Sequence, residues 1–302
     1  MWRRLQRKLS AWTPEHKRIA VRFPDASELR RRAAAPAPSL GMIAGFYTRD
    51  SIYEAEKNRF MQSARLMGLP ADVVAVQSTG SWVRNAALKP GVLATLRDKH
   101  RGPLLYVDVD AVFHRNPWPA LLDMDCDIAA YYEPEGHLLS GTLLINDTPA
   151  AAALLAAWRD ACAAAPREWD QLVLERLMEE DAARPRPRYR LARLPVSFCW
   201  IFDKTNNETC DAVFIEHLQA SREAKQRKRL FGRPGKALRR RREHSLAIER
   251  ILFDSGAVTP ARPPRASDPP PLRASSDAMV RRPSAHATPC CSATWAGETP
   301  DS

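Results

Sequence analysis

"LLYVDVDAVFHRNP" occupies residues 104–117 and decides how the chain is read. Leu104, Leu105, Tyr106 and Val107 form an apolar run suited to a buried strand, yet Asp108 and Asp110 follow it directly, with Val109 between them. Side chains alternate faces along a strand, so the two carboxylates are expected on one face, with α-carbons about 7 Å apart. Two carboxylates withdrawn from water side by side repel each other and lose hydration, so they need a cation or hydrogen-bond donors. Oxygen donors suit Mg²⁺ or Mn²⁺, ions that also bridge phosphates. The plain alternative for so short a pattern is a strand end facing water. His114 lies on the same face but roughly 13 Å beyond Asp110 along the strand, so it is not expected to share the ion.

Outward from this stretch, strand-like and helix-like segments alternate. "MIAGFYT" (42–48) is a short apolar strand, and Ser51 with Glu54 makes a capping box for a helix running to Gly68. "ADVVAVQ" (71–77) is the next strand, followed by the loop "STGSW" (78–82) and a helical stretch that Pro90 interrupts. "CDIAAYY" (126–132) and "LLSGTLLIN" (138–146) are further strands. Thr148 and Pro149 are an N-cap and first-turn pair for an Ala-rich helix over 149–165. A helix follows in "EWDQLVLERLMEE" (168–180), and "AVFIEHLQ" (212–219) is the last strand. The alternation predicts an α/β fold with one layered sheet, whose ligands gather at the carboxyl ends of its strands.

The flanks differ from this middle. The formal net charge is +11, but residues 41–220 carry 19 Lys and Arg against 24 Asp and Glu, whereas residues 221–250 carry 12 against 3 and residues 1–40 carry 10 against 3. Excess charge confined to the flanks argues against a nucleic-acid enzyme, which is basic across its working domain. Residues 251–302 hold 9 of the 25 prolines and no apolar period, a composition that does not build a core. The expected organisation is a basic arm and linker over 1–40, an α/β domain over 41–222, and a basic, then Pro/Ser-rich tail over 223–302. Without an apolar block at the N-terminus or a long apolar run elsewhere, a cytoplasmic protein is expected. Trp2, Leu5, Leu9 and Trp12 among basic residues allow weak contact with an anionic membrane surface. The six cysteines include no CxxC pair, so reduced thiols are expected, Cys290 and Cys291 included.

"GPLLYVDVDAVFHRNP", "LLSGTLLIND", "EWDQLVLERL", "LPVSFCWIFD" and "VFIEHLQASR", in this order, resemble the nucleotide-diphospho-sugar transferases of the GT-A fold, in particular bacterial proteins related to the family 8, glycogenin-type enzymes. The stretch from Gly45 to Pro90 is similar to that group's opening βαβ unit, so the resemblance covers about residues 41–222. It implies a GT-A, Rossmann-like domain with a mostly parallel mixed sheet between helices. Asp108 and Asp110 would be the DxD motif that holds Mn²⁺ or Mg²⁺ and the donor, and His217 a further metal ligand. The chain lacks the fuller "HxxGxxKPW" ending, which leaves Arg222 or Lys225 to meet the diphosphate. Asp170 and Gln171 match a catalytic pair near the anomeric carbon, and Ser140, Gly141 and Thr142 a small-residue turn beside the sugar. Tyr47, Thr48, Trp82, Asn85 and Lys89 fall where the donor would bind. The implied activity is transfer of a sugar, from a UDP-sugar by analogy, to a saccharide, lipid or protein hydroxyl.

Three other readings stay open on the sequence. "VDVDAV" also fits the strand end of haloacid-dehalogenase phosphatases, with the first Asp as nucleophile, though no GDxxxD follows. The basic tail "RKRLFGRPGKALRRRR" fits a nucleic-acid binder. The third is a protein that binds nucleotide sugar without turnover.

Overall fold

The computed structural model describes residues 22–34, 40–204, 210, 212–227 and 234–253. All belong to one unit ending before residue 262. The helices are α1 (Ala26–Ala34), α2 (Tyr53–Leu66), α3 (Trp82–Ala86), α4 (Lys89–Lys99), α5 (Pro149–Ala164), α6 (Asp170–Ala182), α7 (Ser221–Arg227) and α8 (Lys236–Phe253). The strands are β1 (Met42–Thr48), β2 (Ala71–Val76), β3 (Leu104–Val107), β4 (Ala111–Phe113), β5 (Ile128–Tyr132), β6 (Leu138–Ile145), β7 (Leu191–Arg193), β8 (Trp200–Ile201) and β9 (Ile215–His217).

Six strands form the main sheet in the order β2-β1-β3-β6-β5-β7. The β1–β2, β1–β3 and β5–β7 pairs are parallel, and β6 runs against both of its neighbours. This mostly parallel mixed sheet, with helices on both faces, has the expected GT-A organisation. Burial explains the composition of its central strands. Leu105 and Val107 of β3 enter a core with Phe60 of α2 and Ile248 of α8. Leu104 and Tyr106 enter a second core with Trp158 of α5 and Leu174 of α6. A strand covered on both faces reads as a continuous apolar run.

Local signals placed several ends correctly. Thr148 Oγ1 accepts the Ala151 N–H at 3.1 Å and caps α5. Gly68, at φ +66°, takes the left-handed conformation just beyond α2. The capping box is modified: Ser51 Oγ accepts from Tyr53 N at 3.1 Å, but Glu54 reaches back to the Asp50 N–H, also at 3.1 Å. Pro90 lies in the first turn of α4, where its missing N–H is no loss, so it starts a helix and does not interrupt one.

Two larger expectations are corrected. The strand expected through Asp108 and Asp110 ends at Val107; the chain turns over residues 108–110 and resumes as β4 in a second sheet of order β4-β9-β8. The aspartates therefore converge in a turn between two sheets and not along one strand face. The flanks also contribute more than an arm and a tail. Leu29 of α1 is buried, and Leu238, Ile248 and Leu252 of α8 pack into the domain. Residues 254–302, with Cys290 and Cys291, lie outside the described residues, as do Trp2, Leu5, Leu9 and Trp12. No helix among the described residues is long and apolar enough to cross a membrane.

Candidate active site

A cavity of about 330 Å³ opens where β1 and β3 end and β6 begins. It is built around three potential ligand groups. Atoms from Asp108, Asp110 and His217 all lie within 4.8 Å of one another. Strand pairing brings His217 to the aspartates across more than a hundred residues, because Ala111 of β4 pairs with His217 of β9. The Asp110 carbonyl accepts the Leu218 N–H and its Oδ2 the Ala220 N–H, each at 2.7 Å. Gln219 takes φ 59° between them, which turns the chain so that both amides face Asp110.

The histidine's protonation follows from its neighbour. Thr142 Oγ1 donates its single proton to the Phe198 carbonyl at 2.8 Å and lies 2.9 Å from His217 Nε2. That hydroxyl can only accept from the ring, so Nε2 carries the proton and Nδ1 keeps its lone pair. Burial, outweighing the Asp108 charge, moves His217 down to about 4, so the ring is neutral. Thr142 was expected in a turn beside the sugar. It lies instead within β6, behind His217, and does not line the cavity. Gly141 of the same strand is packed so closely that an added Cβ would lie 3.1 Å from His217 Cε1 and 3.3 Å from Asp108 Oδ2.

The carboxylates are only partly balanced. Burial first, then the charges of Asp108 and Glu56, push Asp110 up to about 7. Tyr106 Oη donates to Asp108 Oδ1 at 2.5 Å. Lys89 is buried, with its ammonium 3.4 Å from Asp108 Oδ1, 3.2 Å from Asp170 Oδ2, and bonded to Ser140 O and Oγ at 3.1 and 2.9 Å. Asp170 is fully buried; burial raises its pKa against the pull of Lys89, and its Oδ1 has no hydrogen-bond partner. One ammonium among three carboxylates, beside a neutral imidazole, leaves two negative charges when all are ionised. One divalent cation would balance them, and the oxygen and imidazole donors suit Mn²⁺ or Mg²⁺.

The other expected residues have definite places. Tyr47, Thr48, Trp82, Asn85, Ser140 and Gln171 line the cavity with Lys89, Gly141 and Asp170. Gln171 Oε1 accepts the Ser140 N–H at 3.3 Å. Thr48 Oγ1 bonds Ser51 Oγ at 3.0 Å, and Asn85 holds the preceding loop by accepting from Thr79 N and Oγ1, each at 2.7 Å. Arg222 makes a two-toothed pair with Asp203 at 2.5 and 2.6 Å; the Lys225 side chain lies outside what the structure describes. Sequence reasoning missed Tyr53, Tyr106 and Trp169, which also line the cavity. Trp169 adjoins Asp170 in "EWDQ", a neighbour that offered a signal; Tyr53 reads as an ordinary helix residue. His114 stands apart, bonded to Glu216 at 2.8 Å. A larger groove, between α2 and α8, contains none of these groups.

No curated protein matches the chain. Among solved structures, a glycosyltransferase involved in glycosylation of the major capsid of PBCV-1 is 12% identical, over 69% of this chain and 100% of that one, with a TM-score of 0.49. The apo glycosyltransferase GlyE of Streptococcus pneumoniae TIGR4 is 14% identical, over 72% and 63% of the two chains, with a TM-score of 0.46. The galactosyltransferase LgtC, solved with donor and acceptor sugar analogues, is 14% identical over 66% and 99%, with a TM-score of 0.39. The profile of the nucleotide-diphospho-sugar transferases matches residues 75–228, just over half of the chain. That span runs from the end of β2 through the acidic turn, β6, Asp170 and His217, and the chain belongs to the nucleotide-diphospho-sugar transferase family, as a glycosyltransferase.

Proposed function

We propose that the protein moves a sugar from a nucleoside-diphosphate donor, a UDP-sugar, to an acceptor hydroxyl in this cavity, with Asp108, Asp110 and His217 holding Mn²⁺ or Mg²⁺. The observation that carries the reading is the convergence of these three groups within 4.8 Å. When bound, the cation supplies positive charge to the donor's diphosphate and to the nucleoside diphosphate that leaves. The chain's own residues arrange the rest. Thr142 keeps the His217 lone pair at Nδ1, and Lys89 holds Asp108 and Asp170 at a fixed separation. Asp170, which lines the cavity and has an unpartnered Oδ1, would accept a hydroxyl of the transferred sugar. The bond from the anomeric carbon to the diphosphate oxygen breaks with both electrons passing to phosphate, while the acceptor oxygen bonds that carbon and gives its proton to the departing phosphate oxygen. Tyr47 and Thr48, at the end of β1, mark the nucleoside side of the cavity. The working unit extends past residue 222 through α8, because α8 packs on α2 and adds Ile248 and Leu252 to the core.

Nucleoside diphosphate release, measured over a panel of UDP-sugars with and without Mn²⁺, tests the reading. We expect release with one donor, its loss on chelation, and a fall of at least about 100-fold in Asp110→Ala. No release with any donor, together with nucleotide affinity unchanged in Asp110→Ala, would overturn it.

A further inference from the structure

Two tryptophans form the cavity's outer rim. Trp82 and Trp169 meet with ring centroids 5.4 Å apart and planes at 53°, and each is 38% exposed. Leu172, in the first turn of α6, is also exposed. Scattered exposed apolar side chains need no explanation, but an aromatic pair at the mouth of a polar cavity marks a binding surface. Both rings are mounted on reactive parts of the site. Trp169 directly precedes Asp170, and its carbonyl accepts the N–H groups of Leu172 and Val173 at 2.9 and 3.2 Å, which fixes it at the start of α6. Trp82 begins α3 and lines the cavity beside Tyr53 and the acidic turn.

We infer that Trp82, expected from the resemblance to bind the donor, instead joins Trp169 in a stacking platform for a sugar ring of the acceptor, so that the acceptor is a saccharide or glycoside. A pyranose has a flat C–H face that packs on an indole and hydroxyls that stay free at its edge, one of them to act as nucleophile. The two indoles, tilted at 53° to each other at the cavity mouth, would receive such a ring beside Asp170, which directly follows Trp169. The donor's base belongs at the other side, by Tyr47 and Thr48. The inference rests on the sugar-transfer reading of the cavity.

The test is saturation-transfer NMR on the full chain with methyl β-D-galactoside, methyl β-D-glucoside, methyl α-D-mannoside and lactose, in the presence of UDP and Mn²⁺. Saturation should reach the C–H protons of one ring face of at least one glycoside. The signal should fall at least about tenfold in Trp169→Ala, persist in Trp169→Phe, and leave UDP–Mn²⁺ affinity by calorimetry within about twofold. The melting temperature of each variant separates lost stacking from lost folding. The platform is refuted if UDP–Mn²⁺ binds and no glycoside takes up saturation, if the signal survives in Trp169→Ala, or if Trp169→Ala weakens UDP at least as much as the glycoside, in which case the rings serve the base. Glycoside signal without UDP–Mn²⁺ binding in the unaltered protein would overturn the metal-transferase reading and leave the platform standing.

Discussion

Lys89 looks in sequence like one more helical lysine and proves to be a keystone of the cavity. Its side chain is buried between Asp108 and Asp170, and its ammonium also bonds the carbonyl and hydroxyl of Ser140. Burial alone would release its proton; the two carboxylates more than offset this and raise its pKa. Lys89→Met removes the only cation within ion-pair distance of Asp170 among the described residues. Breaking a buried pair at one partner costs about 3–5 kcal/mol because the other charge stays buried alone. Urea unfolding should show that loss, with donor turnover reduced as well. An unchanged unfolding midpoint would mean that Asp170 is neutral or compensated from elsewhere.

At the scale of elements, the site exists because two strands depart from regularity. Chain β3 leaves the main sheet at Val107 and re-enters order as β4, so Asp108 and Asp110 occupy the turn between sheets. Opposite them, the pairing of β5 with β6 jumps from Ala130–Leu143 to Tyr131–Leu139. Residues 140–142 are thereby left without partners on the β5 side, and the irregularity aims Ser140 and Gly141 into the cavity while Asp108 N still bonds Gly141 O at 2.8 Å. Gly141 matters for space: a methyl group there would press on both His217 and Asp108. Gly141→Ala should weaken Mn²⁺ binding by about tenfold in a calorimetric titration, since displaced ligands lose affinity on that scale. The melting temperature should move little, because the contacts need only a few tenths of an ångström of adjustment. Unaltered Mn²⁺ affinity would show that the three ligand groups tolerate the shift.

At the scale of the molecule, both chain flanks are fastened to the strand that carries His217. Its neighbour Glu216 is buried, with Oε2 2.8 Å from His114 Nε2 and Oε1 2.9 Å from His244 Nε2 of α8. Burial would raise that carboxyl, but the two imidazoles hold it down at about 2. Arg32 of α1 donates to the His114 carbonyl at 2.6 Å, and Arg241 of α8 pairs with Glu56 of α2 and bonds Leu218 O at 2.9 Å. His244, stacked on Phe202, feels burial that lowers its pKa, yet the bond and charge of Glu216 raise it overall. The folded state thus holds this proton more tightly than the unfolded chain. Its contribution is complete below the unfolded value of about 6.5 and is lost as pH rises through the folded value. His244→Gln should cost roughly 1–3 kcal/mol near pH 6, the scale of a hydrogen bond to a charged group, and less near pH 9. Melting curves at the two pH values check this, and an equal loss at both would show that the charge of His244 is irrelevant.

The sequence by itself determined the alternation of strands and helices, the caps at Thr148 and beyond Leu66, and the acidic pair as the chemical centre. These are local properties: side-chain period, turn preference and the cost of burying a carboxylate all act within a few residues. His217 was reached from the sequence through resemblance, since no local rule ties it to Asp110. Tertiary structure alone decided that the acidic pair sits in a turn between two sheets, that Thr142 sets the protonation of His217, and that Lys89 is buried. It also turned part of a basic tail into α8, a cover for the core. Each depends on pairings between residues far apart in the chain, such as Ala111 with His217 and Arg241 with Glu56. Those partners are selected by the packing of the whole domain, where an arginine-rich helix is buried only because Leu238, Ile248 and Leu252 share one face and carboxylates await its charge.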